Sequence, residues 1–393
     1  MLKMQVIGCG AAGNKAVIDA YSYLGDQYMS YLLINSTDKD IPPEYRDSSM
    51  IFGHALGGCG KEREMGKRMF LQDIKNGVRA LDDRVDPNAD FVVVCGSTEG
   101  GSGSATIPII TKYIKQVLHI PTIAVLFFGF NDDARGMQNS IEVCQELEDD
   151  IGVIAICNSK FMDMVDGNKL KAEIAANLQF NYILEILCGK NIHPSSQNID
   201  DTDLKKVVTT PGYMTVEYID FNKIKNTTQF NKAIDEALDE HSTTMMSSSK
   251  SAKRIAVIFD VKNNADYVDY SCSEIKKYYG TPYELFTHVQ NFLGSDRIDI
   301  IVSGQKLPIN EVMEIYEEYK LASSAIDKDR DNFFAEMGAL RGNPEDAMFN
   351  MNLNDKNKPT EEDKNSFFRS FGMDSNPTQH PTKSNVKNVS KDY

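Results

Sequence analysis

FVVVCGSTEGGSGSATIP, running from Phe91 to Pro108, is the stretch whose reading decides the fold. A β-rich apolar run, Phe91 to Val94, empties into glycines interleaved with hydroxyls, and a helix-compatible segment, Ile107 to Leu118, follows. Strand, glycine turn and helix in that order expose backbone N–H groups at a helix N-terminus. There the macrodipole is positive and no Cβ blocks the approach of an anion. Phosphate belongs at such a turn, although read alone it competes with a flexible surface turn, and the rest of the chain has to decide.

Outward from that stretch, short apolar runs alternate with helical stretches long enough to be crossovers. Met4 to Ile7, Tyr31 to Ile34, Phe91 to Val94, Thr122 to Phe127 and Val153 to Ile156 read as strands, which predicts a doubly wound parallel α/β unit. Its ligand is expected outside the carboxyl ends of those strands. Lys169 to Leu187 is one long helical pattern with apolar residues on more than one side, as for a helix buried between two lobes. A smaller α/β unit follows, with strands at Thr215 to Tyr218, Arg254 to Val261 and Ile298 to Ser303. Helices are expected near Thr228 to Leu238, Asp266 to Tyr279 and Asn310 to Tyr319. The expected divisions are a nucleotide-binding domain at 1–168, a central helix at 169–190, a second α/β domain at 191–325, and a terminal helix with a flexible tail at 326–393. Beyond Gly342 periodicity is lost and disorder is expected, with SFFRSFGM (Ser366 to Met373) either a docking motif or a fragment of terminal helix.

With 393 residues, 41% of them hydrophobic, the chain can bury two cores. No run reaches the length of a membrane span and MLKMQVIGCG enters a strand pattern at once, so a soluble cytoplasmic protein is expected. Seven cysteines without a CxxC pair or a nearby histidine cluster read as buried thiols in a reducing compartment. The net charge of −15 argues against direct contact with nucleic acid or an anionic membrane face; any DNA contact would need an adaptor protein, reached through the tail.

Two further glycine loops carry chemistry. GCGAAGN, Gly8 to Asn14, ends the first strand in a GxGxxG pattern that by itself points to a dinucleotide. The acidic residue that would grip ribose hydroxyls at the end of the second strand is missing, since Ile34 is followed by Asn35, Ser36 and Thr37; an NAD enzyme is thereby weakened as an alternative. HALGGCGKERE, His54 to Glu64, mimics a Walker loop but has Ala55 where glycine is needed and Glu62 after Lys61, which excludes a P-loop NTPase. Three glycine loops are more than a dinucleotide requires. They suit a triphosphate held mainly by backbone amides.

GGSGS and the order of these loops resemble the tubulin/FtsZ superfamily, with Ser102 for a threonine and Ala105 for the last glycine. The resemblance covers about residues 4 to 225 and is closest in feel to plasmid- or phage-borne tubulin-like proteins. It implies GTP or GDP with Mg2+ as cofactors and head-to-tail self-assembly into dynamic filaments. It further implies GTP hydrolysis at the subunit interface, in the service of plasmid segregation or phage DNA positioning, with a cell-division ring as the alternative. By the same resemblance Gly10, Ala11, Ala12, Gly13 and Asn14 are the first phosphate loop, and Asn35 and Thr37 match an Asn-Thr-Asp loop with Ser36 inserted. Gly57, Gly58, Cys59, Gly60 and Lys61 sense the terminal phosphate, and Gly100, Gly101, Ser102, Gly103 and Ser104 form the signature loop. Arg135 falls on the ribose side, where Asn131 stands for a glutamate that Asp132 or Asp133 could replace; Asn158 and Asn181 read the guanine. VVTTPGYMTVEYID, Val207 to Asp220, resembles the catalytic loop, which implies Glu217 and Asp220 as acids supplied to the next subunit's nucleotide. Supplying them only on docking spares the triphosphate a permanent repulsion and couples hydrolysis to assembly.

Overall fold

Continuous burial along β1 (Met4–Cys9) and β4 (Phe91–Ser97), with only Ser97 half-exposed, is the mark of strands covered on both faces. In the computed structural model, which describes residues 1–53, 58–76, 81–147, 150–195, 199–222, 224, 226–240, 242–245, 252–262 and 267–323, the two strands lie side by side and parallel. The expectations for the tail, SFFRSFGM included, lie outside the described residues. The other strands are β2 (Met29–Asn35), β3 (Ser49–Ile51), β5 (Thr122–Phe128), β6 (Gly152–Cys157), β7 (Gly212–Asp220), β8 (Arg254–Asp260), β9 (Glu284–Gln290) and β10 (Arg297–Gln305). They form one sheet in the order β3-β2-β1-β4-β5-β6-β7-β10-β8-β9. Its first six strands, all parallel, are the doubly wound arrangement whose order reverses between β1 and β4. That reversal lies where the two glycine loops leave the sheet.

Alternating side chains split between two faces. Met4 and Val6 of β1, with Phe91 and Val93 of β4, pack beneath α1 (Gly10–Leu24) and the central α5 (Lys169–Leu187). Ile7 and Cys9, with Val92 and Val94, pack against α2 (Arg63–Asn76), α3 (Gly101–Gln116) and α4 (Ala134–Glu146). At roughly 25 cal/mol per Å², these interdigitated layers supply most of the drive to fold.

α6 (Asp201–Val208) leads into β7, which touches β6 only at Gly152↔Gly212 and Val153↔Tyr213 and then pairs antiparallel with β10. The second core gathers β7, β8 and β10 under α7 (Thr227–Asp235) and α8 (Tyr267–Tyr279). Helix α9 (Ile309–Ser323) was expected with this second unit. Its Val312, Ile315, Tyr316 and Tyr319 instead join the first unit's core beside Met137 and Ile141 of α4.

Candidate functional site

Four helices, α4 to α7, are capped by their own N-cap side chains: Asp133, Asn168, Asp200 and Asn226 each accept an N–H from the first turn. Helices α1 and α3 have no side-chain cap and no acid in their first turns. The glycines of the signature stretch are themselves the first turn of α3, which starts at Gly101 and not near Ile107 as expected. The first turn of a helix leaves its amides without an intrahelical acceptor. Of these, Gly101 donates to Gly60 O at 2.8 Å. The amides of Gly10 to Gly13 in α1 and of Ser102 and Gly103 in α3 gather where the two helices meet.

Close approach is what the glycines allow. Gly10 has φ of +72° and a Cβ on it would lie 2.9 Å from Gly103 N, while one on Gly101 would lie 2.4 Å from Gly60 O. Ser36, the residue that stood out as inserted, puts its hydroxyl 2.8 Å from that of Ser102. Asn35 is buried, accepts the Ser36 N–H and donates to Asp40, so it shapes its own turn. Thr37 accepts from Lys39 N and lies beside Gly58. The described parts of all three loops therefore converge; Gly57 lies outside the described residues.

Cys59 packs in the core beneath α2 and α3, and the Ser104 hydroxyl bonds back to Gly100 O. The two cations of the site are paired across its rim. Lys61 bonds Asp133, and this bond holds the Asp133 carboxyl below its usual range. Arg135 pairs with Glu62 at 2.8 Å rather than lying free at a ribose. Both pairs are exposed and worth at most about 1 kcal/mol, so an arriving phosphate can compete for either cation. Asn131 donates its side-chain amide to Glu318 of α9 and its backbone N–H to the Glu99 carboxylate, whose pKa burial pushes up.

Three buried side-chain oxygens lack a partner at asparagines singled out in the sequence: Asn14 Oδ1, Asn158 Oδ1 and Asn181 Oδ1. A buried orphan acceptor costs about 1–3 kcal/mol, which a ligand donor would recover. Asn158 stands at the carboxyl end of β6, on the strand-end side shared with the phosphate loops. Asn181 lines a cavity of about 650 Å³ between α5 and β7, together with Tyr182, Glu217 and Asp220. One turn nearer the start of α5, Asn177 bonds Asp19 of α1 at 3.4 Å. Sequence reading passed over Asn177, which the helical period places one turn from Asn181 and against α1.

Glu217 and Asp220 are not brought to the pole opposite the glycine loops. Glu217 is 7% exposed and accepts from Ser242 at 2.9 Å and Thr244 at 3.2 Å. Thr244 bridges Ile156 near the carboxyl end of β6, so Glu217 sits on the same side as the molecule's own Asn158. Asp220 is exposed and bonds Asn222. The resemblance to a catalytic loop misled because the Pro-Gly turn is the entry to a strand covered by neighbours.

The opposite pole carries other acids. Helix α5 has 19 residues and spans about 28 Å, away from the strand ends. Beyond it, the amino terminus bonds Asp201, Lys205 pairs with Asp90 just ahead of β4, and Leu2 N bonds Cys188 O, which fixes α6 beside the amino ends of the strands. Asp200 caps α6 through Asp203 N at 2.8 Å and Asp203 lies in its first turn. Sequence reading gave this Asp-rich run no role. The signal was an Asp cap with a second Asp three residues on, in the connection that follows the central helix.

Burial lifts the Glu217 carboxyl to about 7, against the downward pull of the Ser242 and Thr244 hydroxyls. A carboxyl raised in the folded state binds more protons there, so its stability contribution is full below the unfolded value and is lost as pH rises through about 7. Glu217→Gln should remove this loss, raising stability at pH 8 by on the order of 2 kcal/mol and flattening the melting temperature between pH 5 and 8. A variant no more stable than the parent at pH 8 would contradict the placement.

Residues 3–166 match the family model "Tubulin/FtsZ family, GTPase domain". Cell division protein FtsZ 2 of Methanocaldococcus jannaschii is 27% identical over 220 residues, 53% of this chain and 55% of that protein. The chain thus spans about half the length of the curated relatives it matches. Among solved structures, CetZ from Methanosaeta thermophila superposes with a TM-score of 0.63 at 20% identity, covering 86% of this chain and 97% of that one. A GTPγS-form protofilament of Bacillus thuringiensis serovar israelensis TubZ gives 0.66 at 15% identity, covering 86% and 94%. These likenesses establish the fold. Among the described residues no helix is long and apolar enough to cross a membrane.

Proposed function

We propose that the whole chain is a GTPase that assembles head to tail and hydrolyses GTP at the junction between subunits. The observation that carries the reading is the meeting of two helix N-termini without side-chain caps at the point where strand order reverses. Triphosphate oxygens accept from the amides of Gly10 to Gly13 and of Ser102 and Gly103, with Lys61 adding charge once released from Asp133. The ribose lies toward Arg135. Guanine donors satisfy Asn158, and Asn14 and Asn177 line the α1 side. Asn181, beside Glu217 in the cavity, is retained only as a contact reached by a shift of α5.

The acids come from the next subunit. Asp200 and Asp203 at the far pole are offered to the γ-phosphate of the subunit below, which replaces the role first read for Glu217 and Asp220. The water oxygen bonds to the γ-phosphorus while the bond to the bridging oxygen of the β-phosphate breaks. The bonding pair leaves with GDP and the water proton passes to a carboxylate. The α3 amides stabilise charge on the transferred phosphoryl group. Magnesium enters only as a companion of the phosphates, where it would screen their charge; among the described residues no group of three or more His, Cys, Asp or Glu is assembled for it.

A surface that docks on its own opposite pole does not close, so it yields a filament. The TubZ protofilament named above supports this assembly. On the resemblance of the glycine loops we add a role in segregating or positioning plasmid or phage DNA through a DNA-binding adaptor. The sequence relatives, named as cell division proteins, favour the second reading, a division filament. For the nucleotide, titration with fluorescent GTP should show saturable binding that excess ATP or NADH does not displace. Asn158→Ala should weaken it about tenfold, as loss of one buried hydrogen bond requires. Displacement by NADH would contradict the reading.

A further inference from the structure

The segment between α5 and α6 carries no regular structure where it is described, yet the acids of α6 need a fixed height at the pole. What fixes it is a buried polar pair on β9. Ile199, one residue before Asp200, donates its N–H to His288 Nδ1 at 3.3 Å. Because Nδ1 accepts, the imidazole proton sits on Nε2, 2.9 Å from Gln290 Oε1, to which it donates. Gln290 Oε1 also accepts the His193 N–H at 2.9 Å, and its Nε2 donates to Asn191 O at 2.7 Å and to Asp260 Oδ2 at 2.9 Å. The Asp260 carboxylate in turn accepts the N–H groups of Phe292 and Leu293. His288 is 1% exposed and Gln290 7%.

The pair therefore grips the connecting segment at both ends, at Asn191 and His193 just beyond α5 and at Ile199 just before α6. A buried polar network with its groups satisfied in this way is rigid. A slack connector would let Asp200 and Asp203 wander, and misplacement by about 1 Å can cost about a hundredfold in rate. We propose that His288 and Gln290 are positioning residues for hydrolysis, holding the Ile199 backbone so that Asp200 and Asp203 meet the neighbouring subunit's triphosphate in one geometry. This rests on the assignment of those acids given above. Neither residue touches the nucleotide; both act through the backbone of the acid-bearing segment.

The test uses the full chain with GTP. It reads nucleotide affinity, the threshold concentration for assembly, and phosphate release per assembled subunit. His288→Leu removes the acceptor for Ile199, and Gln290→Met removes the brace to residues 191 and 193. His288→Asn restores an amide oxygen near the place of Nδ1. The expected result is unchanged GTP affinity and threshold for all three, release per assembled subunit down about tenfold for His288→Leu and Gln290→Met, and recovery to within about threefold of the parent for His288→Asn. Full-rate hydrolysis by His288→Leu filaments overturns the proposal, as does a loss no greater than the loss of filament. Should His288→Leu fail to fold, Gln290→Met decides alone on the same readings. An Asp200→Ala/Asp203→Ala variant run alongside separates the two levels. If it hydrolyses at the parental rate the acid assignment itself is wrong, whereas a slow acid variant beside a fast His288→Leu removes only the positioning role.

Discussion

Filaments of Asp200→Ala/Asp203→Ala should form with GTP and persist, while their phosphate release falls by about 10² to 10⁴, the range lost with a general base. The acids lie beside the amino ends of the strands, where Lys205 meets Asp90, and the nucleotide loops lie beyond the carboxyl ends of β1 and β4. About 28 Å of α5 separates the two within one subunit. No side-chain motion closes that gap, so any contact between these acids and a triphosphate is between copies. Binding of GTP by the separated subunit should then be untouched, and phosphate release per assembled subunit against GTP affinity is the measurement that checks it. A variant that loses GTP binding would place the acids in the wrong part of the account.

Gly10→Ala carries the second large effect. The added Cβ falls 2.9 Å from Gly103 N on a residue at φ +72°, so it both strains the backbone and pushes apart the two helix starts. GTP affinity should drop about a hundredfold or more, since donors aimed at one point lose their common focus. Gly25→Ala is the control. It has φ of +80° with nothing within 4 Å of its Cβ, so it should cost about 1 kcal/mol of stability and leave the affinity alone. Equal affinity losses in both would mean that strain, and not convergence, explains the glycine.

The sequence displays the nucleotide side of the molecule more openly than the opposite pole, for a physical reason. A loop that must bring amides to an anion needs glycines at fixed points, and Gly10, Gly60, Gly101 and Gly103 are visible as such. Strands buried on both faces, such as β4 and β5, show as nearly continuous apolar runs. The capping acids of α6 leave no comparable trace, because Asp200, Asp201 and Asp203 look like any solvated connector until α5 is seen to end beside them. MTVEYID drew attention by its carboxylates, yet Glu217 faces Ser242 and Thr244, residues far along the chain that no local pattern reveals. Helix α9 shows the same limit. Its apolar face is legible, but whether that face meets α4 or the second core is decided by the path of the chain.

Mixing two crippled variants tests the central claim most directly. Asp200→Ala/Asp203→Ala keeps the nucleotide site and lacks the acids, while Gly10→Ala keeps the acids and lacks the site. Neither should release phosphate at an appreciable rate alone. If the nucleotide of one copy is cleaved by the acids of the next, the mixture should turn over GTP well above the sum of the separate rates, rising with the concentration of the Gly10→Ala partner. A mixture that only equals that sum, at concentrations where the two assemble together, would contradict hydrolysis at the subunit junction.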